Sequence, residues 1–108
     1  MSGVVLLPWY ATLFRGDDME RALAEIAPVA MRYGALEYDV LRSHGDTYKF
    51  AHYSTWDEHI QFEAYWYGSE FRLWRSDNQG WFQVPIVYEW YDRVVRAETR
   101  QALGHPVE

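Results

Sequence analysis

The 108-residue sequence contains no cysteine, which excludes disulfides and thiolate metal sites and leaves the redox compartment open. It is short of positive charge: ten Lys and Arg stand against sixteen Asp and Glu, a formal charge of −6. The basic residues form no run or stripe that would follow a phosphate backbone, so no nucleic-acid partner is expected. Long hydrophobic runs are missing too. The opening MSGVVLLPWYATLF has no basic region before its apolar stretch, and Pro8 breaks that stretch before it could act as a signal or span a membrane. A soluble, cytoplasmic protein is the expectation. There is no Gly-rich phosphate loop, nucleophile elbow or metal-ligand cluster, which leaves hydrolases and nucleotide enzymes without support. Nor is there an internal repeat, low-complexity segment or linker. The chain reads as one domain, of a size that buries roughly two thirds of its unfolded surface.

What the chain has in excess is aromatic rings. They make up 19% of its residues, with six Trp and nine Tyr, a density that lines a cavity or an interface as well as filling a core.

Much of this load falls in Tyr48 to Arg75. Tyr48, Phe50 and His52 alternate with Lys49, Ala51 and Tyr53, the period of a strand. Thr55-Trp56-Asp57-Glu58 reads as a capping box. Trp56, Ile60, Phe62, Ala64, Tyr65 and Trp66 then give a broad apolar helical face up to Gly68, which tolerates the left-handed conformation that ends many helices. Ser69-Glu70 is set to cap a second short helix, with Phe71 and Trp74 on one side.

Before this stretch, Val4 to Phe14 is β-type and apolar at both parities, so a strand buried on both faces is expected, with pairing starting or bulging near Pro8. Asp17 and Glu20 form a second capping-box-like start. Met19, Ala22, Leu23, Ile26, Ala30 and Tyr33 mark one face of a helix ending at Gly34, kinked or split by Pro28. Ala35 to Ser43 is a second strand, partly polar on one face as an edge strand is, and His44-Gly45-Asp46 is a tight hairpin. Trp81 to Asp92 is the last strand, with Phe82, Val84, Ile86, Tyr88 and Trp90 facing one way and Pro85 hinting at an edge or bulge. Arg93 to Leu103 reads as a weakly amphipathic helix, followed by a tail. The order strand, helix, strand, strand, helix, strand predicts an α+β fold: a four-stranded antiparallel sheet with both helices on one face. The bare face is then apolar, and a second copy of the sheet is the simplest cover.

Tyr48-Lys49-Phe50-Ala51-His52-Tyr53-Ser54-Thr55-Trp56-Asp57, the aromatic helix and Gly68-Ser69-Glu70-Phe71 together resemble the dimeric α+β barrel superfamily, and most closely its antibiotic biosynthesis monooxygenase family. The likeness covers residues 4–92 in element order. It implies a ferredoxin-like protomer over residues 1–92, with residues 93–108 as a C-terminal helix and tail. It also implies a homodimer whose sheets form a barrel, with a pocket between sheet and helices. Quinone-forming members of the family oxidise electron-rich phenols with O₂ and need no metal or flavin; others degrade haem. Where quinone-forming members carry an Asn four residues before the strand-end Trp, this chain has His52 before Trp56. Where haem-degrading members place a His nineteen residues after that Trp, it has Arg75; their helix Trp falls at Tyr65 and their first-strand Asn near Trp9. The haem pattern is therefore largely absent.

These matches nominate His52 as a catalytic residue, taking a phenolic proton, and Tyr38, Trp56, Tyr65 and Arg75 as substrate-binding residues, with Arg75 holding a carboxylate or phenolate. The bland alternatives are a buried neutral imidazole, packing aromatics and a solvated helix-end cation. His59 and Glu63, four apart on a helix, have the spacing of two metal ligands but lack a third, so no metal site is expected there, and the resemblance to quinone-forming members implies no cofactor. The expected function is a cofactor-independent monooxygenase of a small electron-rich aromatic, with a ligand-binding or structural dimer as the rival.

Overall fold

The computed structural model describes residues 2–99. Four strands, β1 (Gly3–Tyr10), β2 (Glu37–Arg42), β3 (Lys49–Trp56) and β4 (Glu89–Asp92), form one antiparallel sheet in the order β2-β3-β1-β4. The helices are α1 (Gly16–Ile26), α2 (His59–Trp66) and α3 (Ser69–Asp77), with 3₁₀ segments at Ala27–Tyr33 and Gln79–Trp81. This is the expected α+β, ferredoxin-like arrangement with the helices on one face.

Register decides which residues meet the helices. Leu7 pairs with His52, Trp9 with Phe50 and Val5 with Ser54, while Val40 of β2 pairs with His52 on its other side. Because side chains alternate along a strand, these residues share the helix-facing side, and Val5, Leu7, Trp9, Phe50, His52 and Ser54 are all buried. Helix α1 meets them with Met19, Ala22, Leu23 and Ile26, the spacing of one helical face; α2 contributes Phe62, Tyr65 and Trp66, and α3 Phe71 and Trp74. Trp9, Trp56, Phe50, Phe62, Tyr65 and Phe71 are each no more than 1% exposed. Burying each contributes about 2 to 3 kcal/mol, so ring packing is a large part of what holds the fold together.

Several local expectations change. β1 is not buried on both faces within the chain: Pro8 and Tyr10 are exposed on the side opposite Leu7 and Trp9. It ends at Tyr10, and Phe14 lies exposed in the following turn with φ 68°. Pairing with β3 runs unbroken through Pro8↔Ala51; β4 stops at Leu6↔Glu89, so Pro8 sits beyond its reach. The long last strand shrinks to Glu89–Asp92, because Trp81 closes a 3₁₀ turn and Phe82 makes only an isolated bridge with Ala11; the Val84–Pro85 peptide is cis. Its parity survives in part, for Phe82 is buried and Ile86, Tyr88 and Trp90 pack on the core, but Val84 points to solvent. Residues 93–99 are not helical: Val94 and Val95, 89% and 86% exposed, have no surface to pack against. The rest of that expected helix and the tail lie outside the described residues.

Helix ends differ as well. Asp17 and Glu20 do not cap α1; both receive Arg42 Nη1, at 2.9 and 2.8 Å, which ties the helix start to the β2 edge. β3 runs through Trp56, so the box that starts α2 is Glu58 with Gln61, whose Oε1 accepts from the Glu58 amide at 3.0 Å. Thr55 is instead joined to Glu37, its hydroxyl 3.3 Å from the carboxylate. The helical stretch after Gly16 splits as expected at Pro28, with 3₁₀ geometry over Ala27–Tyr33, and Gly34 at φ 106° supplies the left-handed end. Gly68 does not: at φ −68° it is extended and precedes α3. A glycine is needed there for closeness, since a Cβ would lie 2.5 Å from the Ala64 carbonyl oxygen. Ser69 is the first residue of α3, and Glu70 accepts both Nη groups of Arg32, at 3.1 and 2.6 Å.

Candidate functional site

His52 lies at the centre of β3 with no exposed surface. Its Nδ1 accepts from the Trp9 indole Nε1 at 3.2 Å, across two neighbouring strands. A neutral imidazole whose Nδ1 accepts carries its proton on Nε2, and Nε2 has no partner. With no compensating charge nearby, burial pushes its pKa down to about 4. The ring is thus neutral near pH 7.

Trp56 and Tyr65 are brought together, ring centroids 5.7 Å apart, beneath α2. Each polar edge is already used. The Trp56 indole donates to Ser54 Oγ at 2.8 Å, and the Tyr65 hydroxyl to the Ile26 carbonyl at 2.6 Å, satisfying an acceptor in the last turn of α1. Burial pushes the Tyr65 phenol well above its usual range. Tyr38, on the edge strand, pairs with the Ser54 that accepts from Trp56, and it borders a concavity of about 250 Å³ with Glu37, Asp39, Thr55 and Arg93.

Arg75, in the last turn of α3, is the most distinctive of the five. Its guanidinium carbon lies 3.8 Å from the Trp66 ring centroid and 5.0 Å from that of Phe71, a cation held on aromatic faces. Nη1 is buried with no hydrogen-bond partner. Desolvation, with Arg72 nearby, moves its pKa downward, so a counter-anion would relieve both costs. The side chain borders a concavity of about 280 Å³ whose walls are Trp66, Ser76, Gln79, Phe82, Val84 and Ile86. The pocket is therefore mainly apolar, with Ser76, Gln79 and one cation that lacks an ion-pair partner among the described residues, a composition that suits a small planar anion.

Sequence reasoning passed over three residues here. Trp66 and Phe82 wall the Arg75 pocket, and Trp9 stands behind them, its ring 6.2 Å from Trp66 and 5.0 Å from Phe82. The signal for Trp9 was its parity with Val5 and Leu7; nothing local reveals that Phe82, reached through the Gly80 loop, folds back on it. His59 makes no metal group with Glu63: its Nε2 lies 3.4 Å from the Tyr88 hydroxyl, and among the described residues no three His, Asp or Glu side chains converge as ligands. No described helix is long and apolar enough to cross a membrane.

No protein-family model matches this chain, and no curated protein matches it. Solved structures do. A Nitrosomonas europaea protein classed with the antibiotic biosynthesis monooxygenases superposes with a TM-score of 0.77 at 17% identity, over 86% of this chain and 90% of its own. One of the same class from Bordetella bronchiseptica gives 0.76 at 18%, over 87% and 98%. SnoaB, a cofactor-independent oxygenase from Streptomyces nogalater, gives 0.75 at 11%, over 88% and 95%. At such identities the likeness is one of fold, and it is the likeness that residues 48–75 announce: this chain has the protomer fold of the antibiotic biosynthesis monooxygenase-like proteins.

Proposed function

We propose that the protein binds a small electron-rich phenol as its phenolate at Arg75 and oxidises it with O₂, without metal, flavin or haem. The observation that carries this reading is the buried, unpartnered Nη1 of a guanidinium stacked on Trp66 at the wall of an apolar pocket. An opposite charge within hydrogen-bonding reach lowers a phenol's pKa by about 1 to 3 units. The phenolate is the form rich enough in electrons to give one to O₂. For a phenol with a free para carbon the products are a quinone and water: one oxygen atom replaces the para hydrogen, and the other leaves as water with that hydrogen and the phenolic proton. In this scheme Arg75 does the work assigned from sequence to His52, whose Nδ1 lone pair is already committed to Trp9.

The functional unit we propose is a homodimer. The sheet face away from the helices presents Val4, Leu6, Pro8, Tyr10, Leu41, Tyr53 and Tyr91, none of them fully buried, with Glu37, Asp39, Lys49 and Glu89 on the same face; a second copy would cover its apolar part.

A second reading, a ligand-binding or structural dimer without chemistry, is favoured by one observation: Trp9, Phe50 and Trp56 fill the sheet face around His52, leaving no room there for a substrate. Oxygen uptake decides between them. With hydroquinones and polyketide-like phenols, the oxygenase reading expects uptake that Arg75→Met lowers by roughly 10²-fold or more, the scale of losing a positioned charge. Tight phenol binding with no uptake from any of them would establish the second reading instead.

A further inference from the structure

Arg75 has a neighbour that shares its want of a counter-charge. Among the described residues Arg15, Arg21, Arg32, Arg42, Arg93 and Arg96 each form an ion pair. Arg72 and Arg75 form none, in a chain with sixteen acidic residues against ten basic ones. The two lie three apart on α3, about 60° apart around a helix of 3.6 residues per turn, where like charges repel. That repulsion is felt, since Arg72 is among the causes that lower the Arg75 pKa. Glu70, one residue before Phe71 on the same helix, does not relieve it: its carboxylate is held by Arg32 at 3.1 and 2.6 Å, with the Tyr33 hydroxyl at 3.3 Å.

Arg72 borders its own concavity of about 440 Å³, with Ser69, Leu73 and Ser76. Ser76 also lines the Arg75 pocket, so the two hollows adjoin. One is the mainly apolar pocket with a half-buried cation, and the other a surface groove with an exposed cation and two hydroxyl side chains.

We propose that the phenol held at Arg75 carries a carboxylate, and that Arg72, with Ser69 and Ser76 beside it, selects for that group. The carboxylate subsite rests on the phenolate reading of Arg75 and names its substrate class, the hydroxyaryl carboxylic acids. The paired N–H groups of one guanidinium match the two oxygens of one carboxylate. The carbon para to the hydroxyl takes the oxygen atom and must stay free, which puts the carboxylate meta. Side chains three apart on a helix start about 5 to 6 Å apart, close to the span between meta substituents on a benzene ring. Because Arg72 is exposed, its pair with the ligand is partly screened, and a gain in affinity of about three- to tenfold is expected.

The test follows, by absorbance, the binding of two ortho-nitrophenols to the full chain in about 0.15 M salt. One carries a carboxylate meta to its hydroxyl, and the other a methyl group in the same place. The wild type should bind the carboxylate dye about three- to tenfold more tightly. Arg72→Met should bring that ratio near one, Arg72→Lys should keep part of it, and Arg96→Met, which removes a positive charge outside α3, should leave it unchanged. A ratio near one in the wild type, a ratio that survives Arg72→Met, or one that falls equally in Arg96→Met overturns the proposal. The Arg75 reading is scored apart, on the methyl dye. If that dye's ionisation midpoint falls on binding while the ratio stays near one, Arg75 holds phenolates and only the carboxylate subsite is refuted. A midpoint that does not fall refutes the phenolate reading, and the subsite with it.

Discussion

The buried imidazole makes a prediction that needs no substrate. In the folded chain His52 takes its proton only near pH 4, whereas an unperturbed imidazole does so at 6.5. Between those values the unfolded chain binds the proton and the folded chain does not, so stability rises with pH across the window. The contribution is fully present above about pH 6.5 and is lost as the pH falls towards 4. At about 1.4 kcal/mol per pH unit over roughly 2.5 units, the loss is about 3 kcal/mol. The assay is urea unfolding at half-unit steps from pH 7.5 to 4, for the wild type and for His52→Gln. Carboxylates such as Glu70, held below its usual range mainly by Arg32, titrate in both proteins and cancel in the comparison. The wild type should lose about 3 kcal/mol more than the variant over this range. Parallel profiles would refute the reasoning, because they would mean that His52 reaches solvent or an unseen acid in the native state.

Four further outcomes follow from the packing. Tyr65→Phe leaves the buried Ile26 carbonyl without its 2.6 Å donor and should lower stability by about 1 to 2 kcal/mol; thermal melts showing no change would mean that water replaces the hydroxyl. Gly68→Ala drives a Cβ against the Ala64 carbonyl and should destabilise by more than about 1 kcal/mol, measured by the urea midpoint; an unchanged midpoint would place the α2–α3 junction elsewhere. Gly34→Ala, at φ 106°, should lower stability by about 1 kcal/mol or more. In sedimentation at low micromolar concentration the chain should be a dimer, and Leu6→Lys on the open sheet face should yield a folded monomer; a wild-type monomer at that concentration would contradict the proposed assembly.

The fold was legible because its signals are local and repeated. Alternation in Tyr48–Tyr53, the spaced apolar residues from Met19 to Ile26, and Pro28 followed by Gly34 each report on a few neighbouring residues, and each falls where expected. The misreadings came where tertiary contacts override such signals. The acidic pair at the start of α1 looks like a cap, but Arg42 on a distant strand competes for it. The residues from Phe82 onward alternate as a strand does, yet β1 has only four paired positions to offer β4. Arg75 was nominated by its place against the pattern of the family that residues 48–75 resemble. Its stacking on Trp66 and its place opposite Val84 and Ile86 depend on a long return of the chain that no local pattern encodes.

The central claim is that Arg75 holds an aromatic anion, and a chromogenic nitrophenol tests it directly. The dye's ionisation is titrated by absorbance, free and with saturating protein, for the wild type and for Arg75→Met, whose unbranched side chain preserves most of the contact with Trp66. The account predicts that the wild type lowers the bound dye's ionisation midpoint by about 1 unit or more, and that Arg75→Met abolishes the shift and weakens binding at least about tenfold. A midpoint that does not move on the wild type, or that moves equally on Arg75→Met, would contradict it.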